Sequence, residues 1–356
     1  MYLHLLDRLR CPSCRSDLQV ETEARITCTN NRTDLEEGII RCQSNPSHRY
    51  LVVDGVAILV PEFNEYLTAK PDMREEIRQM ASTETGTYFI DKNSDPVEKA
   101  QSDGWEDLQT NYIWAHFDSI TTDDLFVECM PEGIQPVLPD GADAIKATVE
   151  SMLTPPSTEE SLGIDIGSSV GGLTHVLSTA VETALGCDRS FRAIRMARQI
   201  RDADGEFTYE VPLEGTRTES RTIEVNVPNP ARVEFVVSEA DALPIESNSV
   251  DSALSMNMID VVSSPRTHLT ETDRVLNESG QLIVGDPYDW SKVSPAETTD
   301  WIGGTEQTPS EQKLREILTK ELNHSITEEQ PAVPWNLRFH DRRYSILITD
   351  CIACRK

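Results

Sequence analysis

Apolar residues fall into short dense runs separated by polar, acidic stretches. Leu162 to Ile166, Thr183 to Cys187, Val233 to Val237, Val250 to Met256 and Gln281 to Gly285 read as strands. Near-continuous apolar runs of this length suit a sheet covered on both faces. Helices are predicted between them, at Gly172 to Ala180 and Phe191 to Arg201. The alternation implies an α/β domain with a parallel sheet, right-handed crossovers and helices on both faces. Glu206 to Arg232 interrupts it, and its β-branched residues and Gly215 turn predict an inserted hairpin. Before the domain, Met1 to Pro61 shows short strands and turns that close on one apolar strand, Tyr50 to Val60. An acidic, loop-rich stretch follows, with helices expected at Asp72 to Ala81, Trp105 to Phe117 and Ala142 to Met152, and Pro155-Pro156 punctuates its end. The organisation predicted is a small β-rich module over 1–61, an acidic helical linker or lid over 62–160, and the α/β domain over 161–356. No internal repeat is visible.

The charge is far from balanced: 61 acidic against 32 basic residues in 356, a net charge of −29. Such a surface suits a salt-rich, halophilic cytosol and disfavours nucleic acid, whose phosphates need Lys and Arg to displace counterions. The apolar runs are too short to span a bilayer, and the first ten residues carry charges where a signal peptide would carry an apolar core. A cytoplasmic protein with no membrane partner is expected.

Cysteines stand at 11, 14, 28, 42, 129, 187, 351 and 354. Their uneven clustering argues against a disulfide framework and for a metal site near the N-terminus. Cys11-Pro-Ser-Cys14 is a knuckle that places two thiolates at two corners of a tetrahedral zinc site. Cys42 and His48 are the best further ligands, with Cys28 in reserve. Four protein ligands would leave no open position, so the zinc is expected to be structural. Through LDRLRCPSC, Cys42 and YLVVDGVAILVP, the stretch Leu5 to Pro61 resembles the zinc ribbon of activator subunits of tRNA and release-factor methyltransferases. It also resembles the ribbon of guanine-specific rRNA methyltransferases. Those families often present two knuckles of two cysteines, where this chain has Cys42 with His48. Cys351 and Cys354 lie in an expected strand and read as packing.

Leu162 to Gly172 runs from a strand through a glycine-rich turn into a helix, a geometry that brings backbone close to a ligand. Asp165 precedes Gly167, Ser169 and Gly171, without the full pyrophosphate fingerprint of dinucleotide enzymes. Asp188 ends the second strand, where a carboxylate can take both hydroxyls of a ribose. Asp241 and Ala242 follow the third strand, placed for an adenine. This ordered set, continuing through Val250 to Met256 and Asp273 to Gly285, resembles class I S-adenosylmethionine-dependent methyltransferases from about Leu162 to the C-terminus. The resemblance implies a Rossmann-like methyltransferase sheet and S-adenosylmethionine as cofactor, held by Asp165, Gly167, Ser169, Gly171, Asp188, Asp241, Ala242 and Asn257.

In open α/β sheets ligands sit beyond the carboxyl ends of the strands, so acceptor residues should follow the fourth and fifth. Those positions hold Asn257 and Asp260, then Asp286, Tyr288 and Trp290. NMIDVVSSP, DPYDW, DWIGG and PWNLRFHDRRYS, with the inserted hairpin, resemble the ovothiol-pathway domain that methylates a ring nitrogen of mercaptohistidine. That resemblance implies acceptor-pocket roles for Asn257, Asp260, Tyr288 and Arg338. Trp290, Trp301 and Trp335 read equally as core anchors, and Arg342 with Arg343 as a solvated face. The expected activity is methylation of a nitrogen or sulfur in a small heterocyclic metabolite. Methylation of RNA or a translation factor, and a non-catalytic activator or binding protein, are the alternatives.

Overall fold

The computed structural model describes residues 1–29, 32–81, 84–92, 109–118, 137–290 and 296–356. In chain order come β1 (Leu18–Thr29), β2 (Arg32–Cys42), β3 (Arg49–Val53) and β4 (Val56–Ile58). The helices described next are α1 (Phe63–Ala69), α2 (Pro71–Met80), α3 (Glu84–Lys92), α4 (Gln109–Phe117) and α5 (Val137–Met152). The α/β portion runs β5 (Leu162–Ile166), α6 (Gly172–Leu177), β6 (Thr183–Asp188) and α7 (Phe191–Arg201). The hairpin β7 (Glu206–Glu214) and β8 (Arg217–Glu224) precedes β9 (Val233–Val237), β10 (Val250–Met256), α8 (Pro265–Val275) and β11 (Leu276–Asp286). The chain ends with α9 (Ser310–Glu316), β12 (Ser325–His340) and β13 (Arg343–Arg355).

One 11-stranded sheet runs β1-β2-β3-β4-β9-β6-β5-β10-β11-β13-β12. Its centre, from β4 to β11, is parallel, and the flanks are antiparallel. The expected parallel sheet forms this centre, and antiparallel strands on both flanks make the sheet as a whole mixed. The inserted hairpin is present as a separate two-stranded sheet. The expected single strand Tyr50 to Val60 is two strands. Asp54 and Gly55 take φ of 50° and 73°, and two successive left-handed residues reverse a chain into a tight hairpin. β4 then pairs in parallel with β9, Ala57 opposite Val236, so the N-terminal strands extend the main sheet. The helix expected from Trp105 is described only from Gln109, and its first residues lie outside the described ones.

Strand residues alternate between two cores, as a two-residue period requires. Val233, Phe235 and Val237 pack on one side with α6 and α7, whereas Val236 joins the other core with α8 and α9. The same alternation separates Cys351 and Ala353 from Ile352 and Cys354, so these cysteines are packing residues. No helix among the described residues is long and apolar enough to cross a membrane.

A buried charge cluster joins the N-terminal strands to this sheet. Glu234 of β9, fully buried, takes Arg198 and, at 2.8 Å, Arg201 from α7. Arg198 also reaches Asp34 of β2 at 2.7 Å, and Arg201 lies 4.4 Å from the Tyr2 ring centroid. Burial alone would raise the Glu234 carboxyl, but the two guanidiniums hold it well below the usual carboxylate range. Its stabilisation is therefore full above the unfolded value of about pH 4.3 and is lost as pH falls through its depressed folded value. Glu234→Gln should leave two buried guanidiniums undercompensated and cost about 3–5 kcal/mol. A urea denaturation midpoint unchanged from wild type would contradict this.

Candidate active site and metal cluster

Strand order reverses at β5, which sends the chain to β6 on one side and lies against β10 on the other. The crevice at such a switch point opens beyond the strands' carboxyl ends. It forms a cavity of about 840 Å³. The turn after β5 is shaped by left-handed backbone at Gly167, Ser169 and Gly171, with φ of 80°, 47° and 88°. A Cβ on Gly167 would collide with the Met258 sulfur, and one on Gly171 with the Phe235 ring. The Gly167 and Ser168 amides donate to the Cys187 carbonyl at 2.8 and 3.0 Å.

Asp188, at the end of β6, accepts from the Ser169 amide at 2.9 Å and the Ser190 amide at 2.7 Å. It lines the cavity with Asp165, Gly167, Ser169, Asp241 and Asn257. Asp165 is buried and accepts from the Thr174 hydroxyl at 2.7 Å. Burial, with the Asp188 charge nearby, pushes its carboxyl up to about 7. Asp241 is exposed at the rim. Gly171 caps α6 behind the turn and Ala242 turns back to Glu239 at 3.3 Å, so Ala240 lines the cavity where Ala242 does not.

The acceptor candidates divide. Asn257, left-handed at φ 55°, accepts from the Thr349 hydroxyl at 2.9 Å. Asp260 also faces the cavity. Burial and the neighbouring Asp289 charge raise its carboxyl to about 6, even though it accepts from the Asp289 amide at 2.6 Å. Asp286, Tyr288 and Arg338 lie outside the cavity wall. Asp286 is fully buried and accepts from the amides of Tyr288 and Ile259, both at 2.8 Å, which ties the loop after β10 to that after β11. Burial and the Asp260 charge raise it well above its ordinary value. Tyr288 packs in the core on the α8 side, and Arg338 pairs with Asp341 at 2.5 Å.

Tyr112 and His116 of α4, with Trp335 and Phe339 of β12 and Arg343 at the start of β13, form a cavity wall that sequence reading missed as a unit. Tyr112 lies 5.7 Å and His116 6.3 Å from Trp335, ring centre to ring centre. Burial and the Lys146 charge lower His116 to about 4, so its imidazole is neutral near pH 7. Arg343 sits 4.3 Å above the Phe339 ring and has no carboxylate partner among the described residues. The i, i+4 spacing of Tyr112 and His116 was the available signal. Trp290 and Trp301 stack on each other at 5.3 Å away from this wall.

Cys11, Cys14, Cys42 and His48 converge, with all four ligand atoms within 4.8 Å of one another. Cys11 Sγ lies 3.3 Å from His48 Nδ1, and Cys14 Sγ 3.4 Å from Cys42 Sγ. Zinc–sulfur bonds of about 2.3 Å give ligand separations near these, so the donor set fits a tetrahedral ion. Cys28 is exposed on β1, beside Thr33, and belongs to no such group.

Residues 164–284 match the family model described as "Methyltransferase domain". An uncharacterised 37.1 kDa protein in transposon TN4556 of Streptomyces fradiae is 28% identical over 133 residues, which are 37% of this chain and 30% of that protein. A chain in the complex between the Haloferax volcanii Trm112 methyltransferase activator and a methyltransferase is similar in structure, at TM-score 0.40 and 16% identity over 66% of this chain and 99% of that one. A methyltransferase from Bacillus halodurans is similar at TM-score 0.39 and 13% identity, over 61% and 99%. The domain match spans the glycine turn and the strand tips around the crevice, so residues 164–284 of this chain carry a methyltransferase domain, while the chain spans less than a third of the curated relative it matches.

Proposed function

We propose that the crevice binds S-adenosylmethionine at its β5–β9 end and that the methyl acceptor is a small heterocycle seated against the aromatic wall. The observation that carries this reading is one cavity of about 840 Å³ joining the carboxylate-bearing strand tips to Tyr112, His116, Trp335 and Arg343. Small-molecule sites commonly fall within roughly 300–1,000 Å³. The residues suit the cofactor. The turn at Gly167 leaves no room for a side chain, and the buried Ser168 hydroxyl has no hydrogen-bond partner among the described residues.

S-adenosylmethionine supplies a methyl group on a cationic sulfonium, ready for attack by a nucleophile. Asp188, oriented by two backbone amides, takes the ribose hydroxyls, and Asp241 with the Ala240–Ala242 backbone takes the adenine. Asp165, Ser169 and Asn257 complete the cradle. The aromatic wall excludes water and favours positive charge over its ring faces. Asp260, raised toward neutrality, is the residue to accept a proton where the nucleophile carries one. Asp286 and Tyr288 act behind it by holding the loop. Arg343 offers a counter-charge to an anionic substituent of the acceptor. The likeness to the ovothiol-pathway domain supports a ring nitrogen as nucleophile. The acidic surface supports a salt-rich cytoplasm as the working medium and speaks against RNA as acceptor. Cys11, Cys14, Cys42 and His48 hold a structural zinc.

Asp188→Ala should weaken S-adenosylmethionine binding by about 1.5–3 kcal/mol, roughly ten- to hundredfold in Kd, measured calorimetrically in high salt. Wild-type affinity in that variant would remove Asp188 from the cofactor site. Incubated with methyl-labelled cofactor and cell extract, the enzyme should put label into dialysable compounds, whereas label in RNA or protein would overturn the small-acceptor reading. Elemental analysis should find zinc bound to the wild type and lost from Cys42→Ser; zinc retained in full by that variant would exclude Cys42 as a ligand.

A further inference from the structure

The Arg15 side chain ties the Cys11–Cys14 knuckle to the loop that runs on from the crevice. Arg15 follows Cys14 directly, in left-handed backbone at φ 65°, and its amide donates to the Cys11 carbonyl at 2.7 Å. Its guanidinium donates to the Pro12 carbonyl at 2.8 Å and, across the chain, to the Leu243 carbonyl at 2.9 Å. It also pairs with Glu271 of α8 at 3.0 Å, and the same Glu271 oxygen accepts from the Leu243 amide at 2.7 Å. Beside it the Arg10 amide donates to the Pro244 carbonyl at 2.8 Å. The loop gripped here is the continuation of Glu239, Ala240 and Asp241, which line the cavity.

We infer that Arg15 is a positioning residue through which metal occupancy of the knuckle sets the affinity of the crevice for S-adenosylmethionine. This rests on the proposed readings of the crevice as the cofactor site and of the four-ligand cluster as a zinc site. Zinc fixes the turn Cys11-Pro12-Ser13-Cys14 and therefore the backbone that carries Arg15. Arg15 in turn holds the Leu243 backbone, which fixes Asp241 at the rim. Loss of the ion frees the turn, and the adenine-side loop loses one brace, with Arg274 at 3.3 Å from the Leu243 carbonyl and the Glu271 bond to the Leu243 amide remaining. Coupling between binding sites is reciprocal, so the cofactor tightens zinc by the same factor.

The test is calorimetric titration of S-adenosylmethionine into zinc-loaded wild type, chelator-treated wild type and zinc-loaded Arg15→Ala, with zinc content and circular dichroism recorded for each. Zinc-loaded Arg15→Ala should stay folded and metal-bound yet bind the cofactor on the order of tenfold more weakly. Chelated wild type should show a comparable loss, and Arg15→Ala should respond little to chelation. Wild-type affinity in zinc-loaded Arg15→Ala overturns the inference even if chelated protein unfolds, as does undiminished affinity in folded, zinc-free wild type. Absence of saturable binding by zinc-loaded wild type would instead overturn the cofactor reading on which the inference rests.

Discussion

The turn after β5 constrains everything around the crevice. Three of its five residues, Gly167, Ser169 and Gly171, hold positive φ, a backbone that side chains other than glycine's resist. The turn is stabilised from outside: two of its amides bond the Cys187 carbonyl, and a third bonds the Asp188 carboxylate. The end of β6 therefore shapes the end of β5. Asp188 in turn is aimed by the amides it accepts from, including that of Ser190, whose hydroxyl caps α7. A substitution at Gly167 would clash with Met258, which follows β10, so the turn also sets the distance to the fourth strand. The crevice is the space left when these strand tips are locked to one another.

The N-terminal strands enter this arrangement through pairing and through charge. β4 lengthens the parallel sheet beyond β9, and the Asp34–Arg198–Glu234–Arg201 cluster lies beneath that junction. Removing charges from water is expensive, and such a cluster holds only with its partners in place. It makes the N-terminal strands and the α/β sheet depend on each other. The Cys11–Cys14–Cys42–His48 cluster, at the far end of the same strands, is tied independently through Arg15 and Leu243 to the loop that runs on from the crevice.

The α/β core was legible because buried parallel strands carry dense apolar runs and leave little else for a sequence to mean. β5, β6, β9 and β10 fall close to where Leu162, Thr183, Val233 and Val250 begin their runs. The convergence of the four candidate ligands was legible for a similar local reason: Cys11 and Cys14 share one turn, and Cys42 and His48 share another. The break at Asp54-Gly55 was written in a dipeptide that favours tight hairpins, yet the apolar residues on either side masked it. Asp286 was misleading because a carboxylate at a strand tip has two uses, and only the amides of Ile259 and Tyr288 reveal which applies. The wall from Tyr112 to Trp335 was not legible, since it joins residues more than two hundred positions apart. Position along the chain carries no trace of such a contact.

The electrostatics of the crevice also divide along its length. Asp188 and Asp241 give the β5–β9 end a negative character within a chain already at −29, and in the proposed reading a cationic methyl donor gains from that field. The opposite wall is aromatic, with Arg343 lying over Phe339. A methyl donor and an acceptor that both carried positive charge would repel within one cavity. In the proposed reading, a neutral or anionic acceptor meets the sulfonium from the side where Arg343 stands. Transfer then places positive charge on the acceptor while it leaves the sulfur, so the rings of Tyr112 and Trp335 face charge that grows as the reaction proceeds. Interactions that strengthen in this way lower the barrier, whereas those equal in both states only tighten binding. On the proposed reading the carboxylate tips serve mainly to bind, and the aromatic wall is the part of the cavity whose stabilisation follows the moving charge.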